Sequence, residues 1–187
     1  YILLVCTTLI WSINFIIGKF AYLFEVPPLS LNFLRWTLVW IILFPFTYRE
    51  IFSNIKLIKK NIIYLTVLAI TSVSAFNSLV YLALNYTQAI DTILMISIIP
   101  VFVLFLSSIL GVEKFNFYQL LGLIVSFIGV LIILRPTSSI FDPKALLPLV
   151  AAFALGLYQV ITKKVSEYDS TEVSLFYTSV VGIIIMS

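Results

Sequence analysis

Two long runs without any charged residue limit what this chain can fold into. Ile93–Leu110 and Phe117–Leu134 are each 18 residues long and contain no charge. As helices they are long enough to cross roughly 30 Å of hydrocarbon. Neither run has the polar face that a helix on the surface of a soluble domain needs. Because backbone groups inside a bilayer must be hydrogen-bonded within their own segment, both runs are predicted to be membrane-spanning helices.

The composition extends this prediction to the whole chain. Hydrophobic residues make up 62% of the sequence and charged residues 10%, whereas soluble domains have about 45–50% and about 25%. The fold class is therefore predicted to be an all-α polytopic membrane protein. The absence of His and the single Cys6 exclude His-based catalysis, an intramolecular disulfide and a multi-Cys metal site. We accordingly expect no metal, no cofactor and no enzymatic activity.

Seven apolar segments are predicted to be helices, and the last of them begins near Val173 and is still apolar at Ser187. The first six are Ile2–Phe24, Ser30–Tyr48, Ile62–Leu84, Ile93–Leu110, Phe117–Leu134 and Ala145–Lys163. Because the sequence starts at Tyr1 and stops within an apolar run, we expect both ends of the natural protein to be missing.

The basic residues predict the orientation in the membrane. Seven lie in the loops after the second, fourth and sixth segments, and two lie in the loops on the other side. The seven are Arg49, Lys56, Lys59, Lys60, Lys114, Lys163 and Lys164, and the two are Arg135 and Lys144. Short loops rich in Lys and Arg remain cytoplasmic. The N-terminus is therefore predicted to be cytoplasmic. Because the basic residues cluster in particular loops, the net charge of +3 does not indicate nucleic-acid binding.

Polar and small residues recur at helical spacing on several of these segments. Such stripes either hydrogen-bond between helices or line a watery cavity. Amide side chains are costly to bury without a partner, so Asn14, Asn77 and Gln159 stand out. Gly122 and Gly129 are predicted to face another helix, because glycine lets two backbones approach closely.

Two charged residues lie inside apolar segments. Lys19 and Arg35 are close enough to a helix end for their side chains to snorkel to the headgroups, and we favour that interpretation. The alternative is that they act as counter-charges to a solute. All eight acidic residues lie in loops or near helix ends, so no proton-binding carboxylate is expected at mid-membrane. Asp91 is expected to favour the positive end of its helix.

The stretch from Tyr81 to Leu134 resembles the end of a repeat of the EamA family, in the drug/metabolite transporter superfamily. The resemblance is carried by Tyr81, Ala83, Leu84, Tyr86, Thr87 and Ala89, then Pro100, Val101 and Phe102, then Gly111 and Glu113, and finally Leu121, Gly122, Gly129 and Val130. It implies ten helices in two inverted five-helix repeats, which divides the chain into 1–136 and an incomplete 137–187. An offset of 144 residues, which aligns Lys19 with Lys163, agrees with this division. Glu113, the loop glutamate of the family, is expected to bind backbone amides or a basic side chain.

The resemblance implies a secondary transporter of small organic metabolites, of the amino-acid or metabolite exporter type, that works by alternating access. The predicted cavity walls are Trp11, Asn14, Asn77, Tyr81, Tyr158 and Gln159, whose rings would contact apolar parts of a solute and whose amides would fix its polar groups. One alternative is an importer or exchanger of an anionic metabolite with Lys19 and Arg35 as counter-charges. Another is a membrane scaffold without transport. The expected surroundings are the lipid bilayer of a bacterial inner membrane, and a homodimer is left open.

Overall fold

A computed structural model describes residues 1–53, 55–114, 116–134, 143–165 and 171–186. All regular secondary structure in these ranges is helical. The membrane class predicted from the sequence is confirmed, because five of these helices are long and apolar enough to span a bilayer. They are Ile2–Leu23, Pro28–Arg49, Ile62–Tyr86, Ala89–Ile109 and Leu146–Lys164.

The helices follow the predicted segments closely, and most differences lie at their ends. In chain order they are α1 (Ile2–Leu23), α2 (Pro28–Ser53), α3 (Ile55–Lys60), α4 (Ile62–Ala69), a π-helical segment (Ile70–Phe76), α5 (Asn77–Tyr86), α6 (Ala89–Ile96), α7 (Ile99–Ile109), α8 (Phe117–Leu134), a 3-10 turn (Pro143–Ala145), α9 (Leu146–Val165) and α10 (Thr171–Met186). The predicted boundary between residues 136 and 137 lies outside the described ranges.

The continuous span formed by α4, the π-helical segment and α5 is the centre of the bundle. Of the residues in the apolar stretch of this span, 61% are buried, against 11% for α1 and 6% for the first part of α2. One apolar cluster joins α5 to α1, α6, α7 and α9, and a second joins α4 to α2, α3 and α10. Leu65, Leu68 and Leu84 are fully buried within these clusters. The other helices are therefore arranged around this span.

The predicted span Ile93–Leu110 is present as Ala89–Ile109, but it is interrupted, because the structure divides it into α6 and α7. The chain turns at Ser97 and Ile98 before α7 begins. Pro100 at the start of α7 has no N–H, and its ring would clash with the carbonyl four residues earlier in a continuous helix. The Ser97 hydroxyl donates to the Leu94 carbonyl at 2.6 Å, which adds a side-chain hydrogen bond at the break.

The π-helical segment was not predicted from the sequence, which shows only a run of Thr and Ser within an apolar helix. The Asn77 N–H donates to the carbonyl of Ser72, five residues back. The Ser72 hydroxyl donates to the Leu68 carbonyl at 2.7 Å, as small hydroxyl side chains do in apolar helices. π-Helical insertions of this kind occur frequently at functional sites.

The prediction that Gly122 and Gly129 face another helix is wrong. Within the described part of the chain, a Cβ added at either residue would meet no atom within 4 Å outside its own helix. The close approaches occur instead at Gly18, Gly156 and Gly182, where an added Cβ would lie within 3 Å of a neighbouring side chain. The spacing of small residues on α8 does not determine whether a neighbouring helix lies against them.

Contacts between loops and helix ends agree with helices that alternate in direction. The Lys144 ammonium lies 4.7 Å from the ring centre of Tyr86, at the end where α5 finishes and α9 begins. At the opposite end, Lys163 of α9 forms an ion pair with Glu113 after α7. This contact confirms the expectation that Glu113 binds a basic side chain.

Candidate functional site

Two grooves lie on either side of α1. The first has a volume of about 660 Å³, lies between α1 and α2, and includes Trp11, Asn14, Arg35 and Tyr81 in its lining. The second has a volume of about 410 Å³ and lies between α1, the α6–α7 break and α9. Both volumes are in the range of pockets that bind small molecules. Trp11 lines both grooves, so one aromatic ring separates them.

A hydrogen-bonded cluster lies in the first groove and joins three helices. Nη1 of Arg35 in α2 donates to Oδ1 of Asn14 in α1 at 2.9 Å, and to the hydroxyl of Tyr81 in α5 at 2.6 Å. The same Nη1 lies 3.0 Å from Oδ1 of Asn77. The Tyr81 hydroxyl in turn donates to Asn14 Oδ1 at 2.6 Å. The structure thus brings together three of the six predicted cavity residues around one of the predicted counter-charges.

Asn77 connects this cluster to the π-helical segment. Its Nδ2 donates to the Ser72 carbonyl at 2.8 Å, which leaves Oδ1 directed at Arg35. The side chain is buried and is not among the residues that line the groove. The position of the Arg35 guanidinium is therefore linked to the irregular backbone of the central span.

The prediction that Arg35 snorkels is wrong. Arg35 lies seven residues after Pro28, the first residue of α2, which places it about 10 Å along the helix axis. Its guanidinium is bound by side chains of α1 and α5 and does not extend to the helix end. A charge at mid-helix costs roughly 2.5–3.5 kcal/mol on insertion scales. The three neutral oxygens and the nearby ring of Trp36, 5.6 Å away, offset part of this cost.

Lys19 has a different role from Arg35. Its Nζ donates to the carbonyls of Leu84 at 2.8 Å and Thr87 at 3.1 Å. These carbonyls are at the C-terminal end of α5, where the partial negative charge of a helix favours a cation. Lys19 thus reaches toward a helix end, as snorkelling predicts, but its ammonium binds protein backbone there. It lies outside the linings of both grooves.

The two predicted cavity residues on α9, Tyr158 and Gln159, have different surroundings in the structure. Gln159 lines the second groove, together with Trp11, Phe15 and Pro100. Tyr158 packs instead against both apolar clusters and lines neither groove. The geometry therefore assigns Gln159 to a groove wall and Tyr158 to the packing of the core. Thr8, Ser12 and Ser97 also line the second groove and were not selected from the sequence.

Asn32 is a further polar residue that the sequence analysis missed. It is fully buried, and its Nδ2 donates to the Val73 carbonyl and to the Ser78 hydroxyl, both at 2.9 Å. Asn32 thus connects α2 to the π-helical segment one turn before Arg35. The signal was present in the sequence, since Asn32 is an amide inside an apolar span, as Asn14 and Asn77 are.

The three acidic residues whose side chains are described, Glu25, Asp91 and Glu113, lie away from the cluster. Asp91 is 2% exposed and lies in the first turn of α6, as the helix dipole favours. Glu25 lies in the turn after α1 and Glu113 in the loop after α7. Among the described residues, no group of three or more His, Cys, Asp or Glu side chains could hold a metal ion.

Membrane helices that enclose polar grooves, with a charged side chain held inside the span, are typical of transport proteins. Comparison with known families gives a more specific result. The profile of the EamA-like transporter family matches residues 1–135. This chain belongs to the EamA family, and the resemblance noted from the sequence is confirmed.

Relatives of the chain carry names of the same kind. It is 32% identical over 178 residues to an uncharacterized transporter of Archaeoglobus fulgidus, a match that covers 90% of this chain and 59% of the relative. It is 30% identical over 83 residues to the S-adenosylmethionine uptake transporter of Rickettsia prowazekii, covering 44% of this chain and 28% of the relative. The chain thus spans 59% of the length of its archaeal relative. No solved structure matches it.

Proposed function

We propose that this chain is part of a secondary transporter that moves small organic metabolites across a membrane. The observation that carries the proposal is the groove between α1 and α2, in which Arg35 is held by Asn14, Asn77 and Tyr81 at a depth where only a function would favour a charge. Membership of the EamA family supports it. A scaffold without transport would need neither the groove nor a cation held within an apolar span.

Alternating access between inverted repeats is the proposed mechanism, with the division at residues 136 and 137. The packing around the central span supports it. Both α1 and α9 pack against α5, while α2 and α10 both contact the π-helical segment. α9 and α10 thus use the central span in a way that parallels α1 and α2. Transporters built from inverted repeats bind their solute between the repeats near the membrane midplane.

The proposed solute contacts follow from the two grooves. In the first, Asn14 and Tyr81 would bind polar groups, and the ring of Trp11 would contact apolar parts of the solute. In the second, Gln159 faces Trp11 from the other side of α1. Asn77 would not contact the solute but would hold the Arg35 guanidinium in place through its Oδ1. Tyr158 would pack α9 against the apolar core.

Export is the proposed direction, and uptake or exchange of an anionic metabolite is the second candidate. Two observations favour the second. Arg35 supplies a positive charge inside the groove, and one relative is named as an uptake transporter. Lys19 does not favour it, because its ammonium is used at the end of α5.

The test of transport is solute flux through proteoliposomes that contain the natural full-length protein. Vesicles are loaded with a mixture of amino acids and organic acids, and the loss or exchange of each is followed by mass spectrometry. We expect a subset of the solutes to cross faster than in protein-free vesicles. A protein that leaves every solute at the protein-free rate would support the scaffold alternative.

The proposed orientation places the N-terminus on the cytoplasmic side of a bacterial inner membrane. Cysteines introduced at Val26 and at Lys59 should react with an impermeant thiol reagent from opposite sides, with Lys59 on the inside. α2 separates the two positions, so each reports one membrane face. The background should be Cys6→Ser, because Cys6 is exposed and would react itself. Reaction of both positions from the same side would contradict the topology.

A further inference from the structure

Only some of the N–H donors of the Arg35 guanidinium have a hydrogen-bond acceptor within the described part of the chain. A guanidinium has five N–H donors, two of them on Nη1. The contacts to Asn14, Asn77 and Tyr81 are all made by Nη1. The three N–H groups on Nε and Nη2 have no hydrogen-bond acceptor among the described residues. Two of these N–H groups, one on each nitrogen, form the parallel pair that matches a carboxylate in a bidentate contact.

The charge of Arg35 is also unbalanced among the described side chains. Its three partners are neutral oxygens, and no described carboxylate forms an ion pair with it. Neutral acceptors orient a guanidinium without cancelling its charge. A side chain that served only to join α1, α2 and α5 could do so without a charge, and would then avoid the cost of placing one within an apolar span. The arrangement instead places a cation without a described counter-charge in the lining of a groove of about 660 Å³.

We propose that the groove between α1 and α2 binds its solute through a carboxylate, which the free Nε and Nη2 edge of Arg35 holds in a bidentate contact. This inference rests on the proposed transport function and specifies its substrate class as carboxylic acids, including amino acids. Asn14, Asn77 and Tyr81 all contact Nη1, and so they set the direction of the opposite edge. Lys19 lies outside the groove, and Arg35 is the one cationic side chain among the described residues that line it, so the proposed site takes one carboxylate.

Matched acids and amides test this proposal without any substitution. The probes are the common amino acids and their N-acetyl derivatives, each paired with its primary amide, which keeps the shape and removes the carboxylate. Binding is measured as the increase in unfolding temperature of the purified full-length protein, because a ligand of the folded state stabilises it. Flux of the same probes is then measured in phosphatidylcholine vesicles, where no anionic lipid headgroup competes for Arg35.

Three substitutions on α2 make the test specific. Arg35→Gln removes the charge, Arg35→Lys keeps the charge but loses the bidentate fork, and Arg49→Gln removes an exposed arginine of the same helix as a control. We expect at least one acid to bind about tenfold or more tightly than its amide in the natural protein, which is the effect of a single charged hydrogen-bonded contact. Arg35→Gln should abolish that preference, Arg35→Lys should retain a smaller one, and Arg49→Gln should leave it unchanged.

The outcomes separate this inference from the proposed function. Equal binding of every acid and its amide in the natural protein would overturn the carboxylate site, and so would a preference that Arg35→Gln leaves intact. A preference that depends on Arg35, but with no flux of any probe, would support the site and contradict transport. If Arg35→Gln does not fold, the acid and amide comparison and Arg35→Lys still decide the question.

Discussion

Replacing Gly182 with alanine should lower the free energy of unfolding by about 3 kcal/mol, and replacing it with leucine should leave little folded protein. A Cβ at residue 182 would overlap Cγ1 of Val73 and would lie 2.7 Å from Cβ of the same residue. Val73 is fully buried in the π-helical segment, and its branched side chain cannot rotate out of the way. Any side chain at 182 must therefore push α10 away from the central span. Heating followed by size-exclusion chromatography in detergent would measure the loss.

Gly122 provides the matched control for this prediction. An alanine there would meet no atom of another described element within 4 Å, so Gly122→Ala should be neutral or slightly stabilising in its helix. Adding Val73→Ala to Gly182→Ala removes the closest clashing atom and should restore part of the stability. Equal unfolding temperatures for Gly182→Ala and Gly122→Ala would show that α10 does not pack on Val73 as described.

The positions of the helices could be predicted from the sequence, because charge is excluded from the membrane interior over whole segments. α8, predicted as Phe117–Leu134, begins and ends at those residues. The irregular backbone could not be predicted in the same way. Pro100 signals a disturbance but does not show whether a helix kinks or stops, and the π-helical segment depends on partners such as Asn32 that are remote in sequence.

The site was predictable residue by residue but not as an assembly. Asn14, Asn77 and Tyr81 were selected because polar groups inside a membrane need partners, and the structure shows those partners. That Arg35 is the common partner depends on how far α1, α2 and α5 are shifted along one another. Hydrophobic patterns leave this shift open, because every turn of such helices is equally apolar. Arg35 was consequently expected to reach the headgroups, when its charge is bound inside the bundle.

Replacing Asn14 with aspartate should cause the largest loss of transport that preserves the fold. Asn14 Oδ1 accepts hydrogen bonds from Arg35 Nη1 at 2.9 Å and from the Tyr81 hydroxyl at 2.6 Å. A carboxylate oxygen accepts both, so the cluster should remain and α1 should stay bound to α2 at least as firmly. The new negative charge would neutralise Arg35 and repel the carboxylate of an incoming solute. Because close charge pairs interact by several kcal/mol, we expect flux of acidic solutes to fall by about tenfold or more.

The control for this substitution is Asn116→Asp. Asn116 Oδ1 accepts a hydrogen bond from the Tyr118 N–H at 3.0 Å in an exposed loop, so aspartate keeps that bond and adds the same charge far from the groove. Flux and unfolding temperature are measured for both variants in parallel. Asn14→Asp should lose flux with no decrease in unfolding temperature, whereas Asn116→Asp should change neither. If Asn14→Asp loses flux only in proportion to a lower stability, the charge of Arg35 acts in folding and not in binding the solute. If it carries acidic solutes at the natural rate, the solute does not approach Arg35, and the groove between α1 and α2 is not its path.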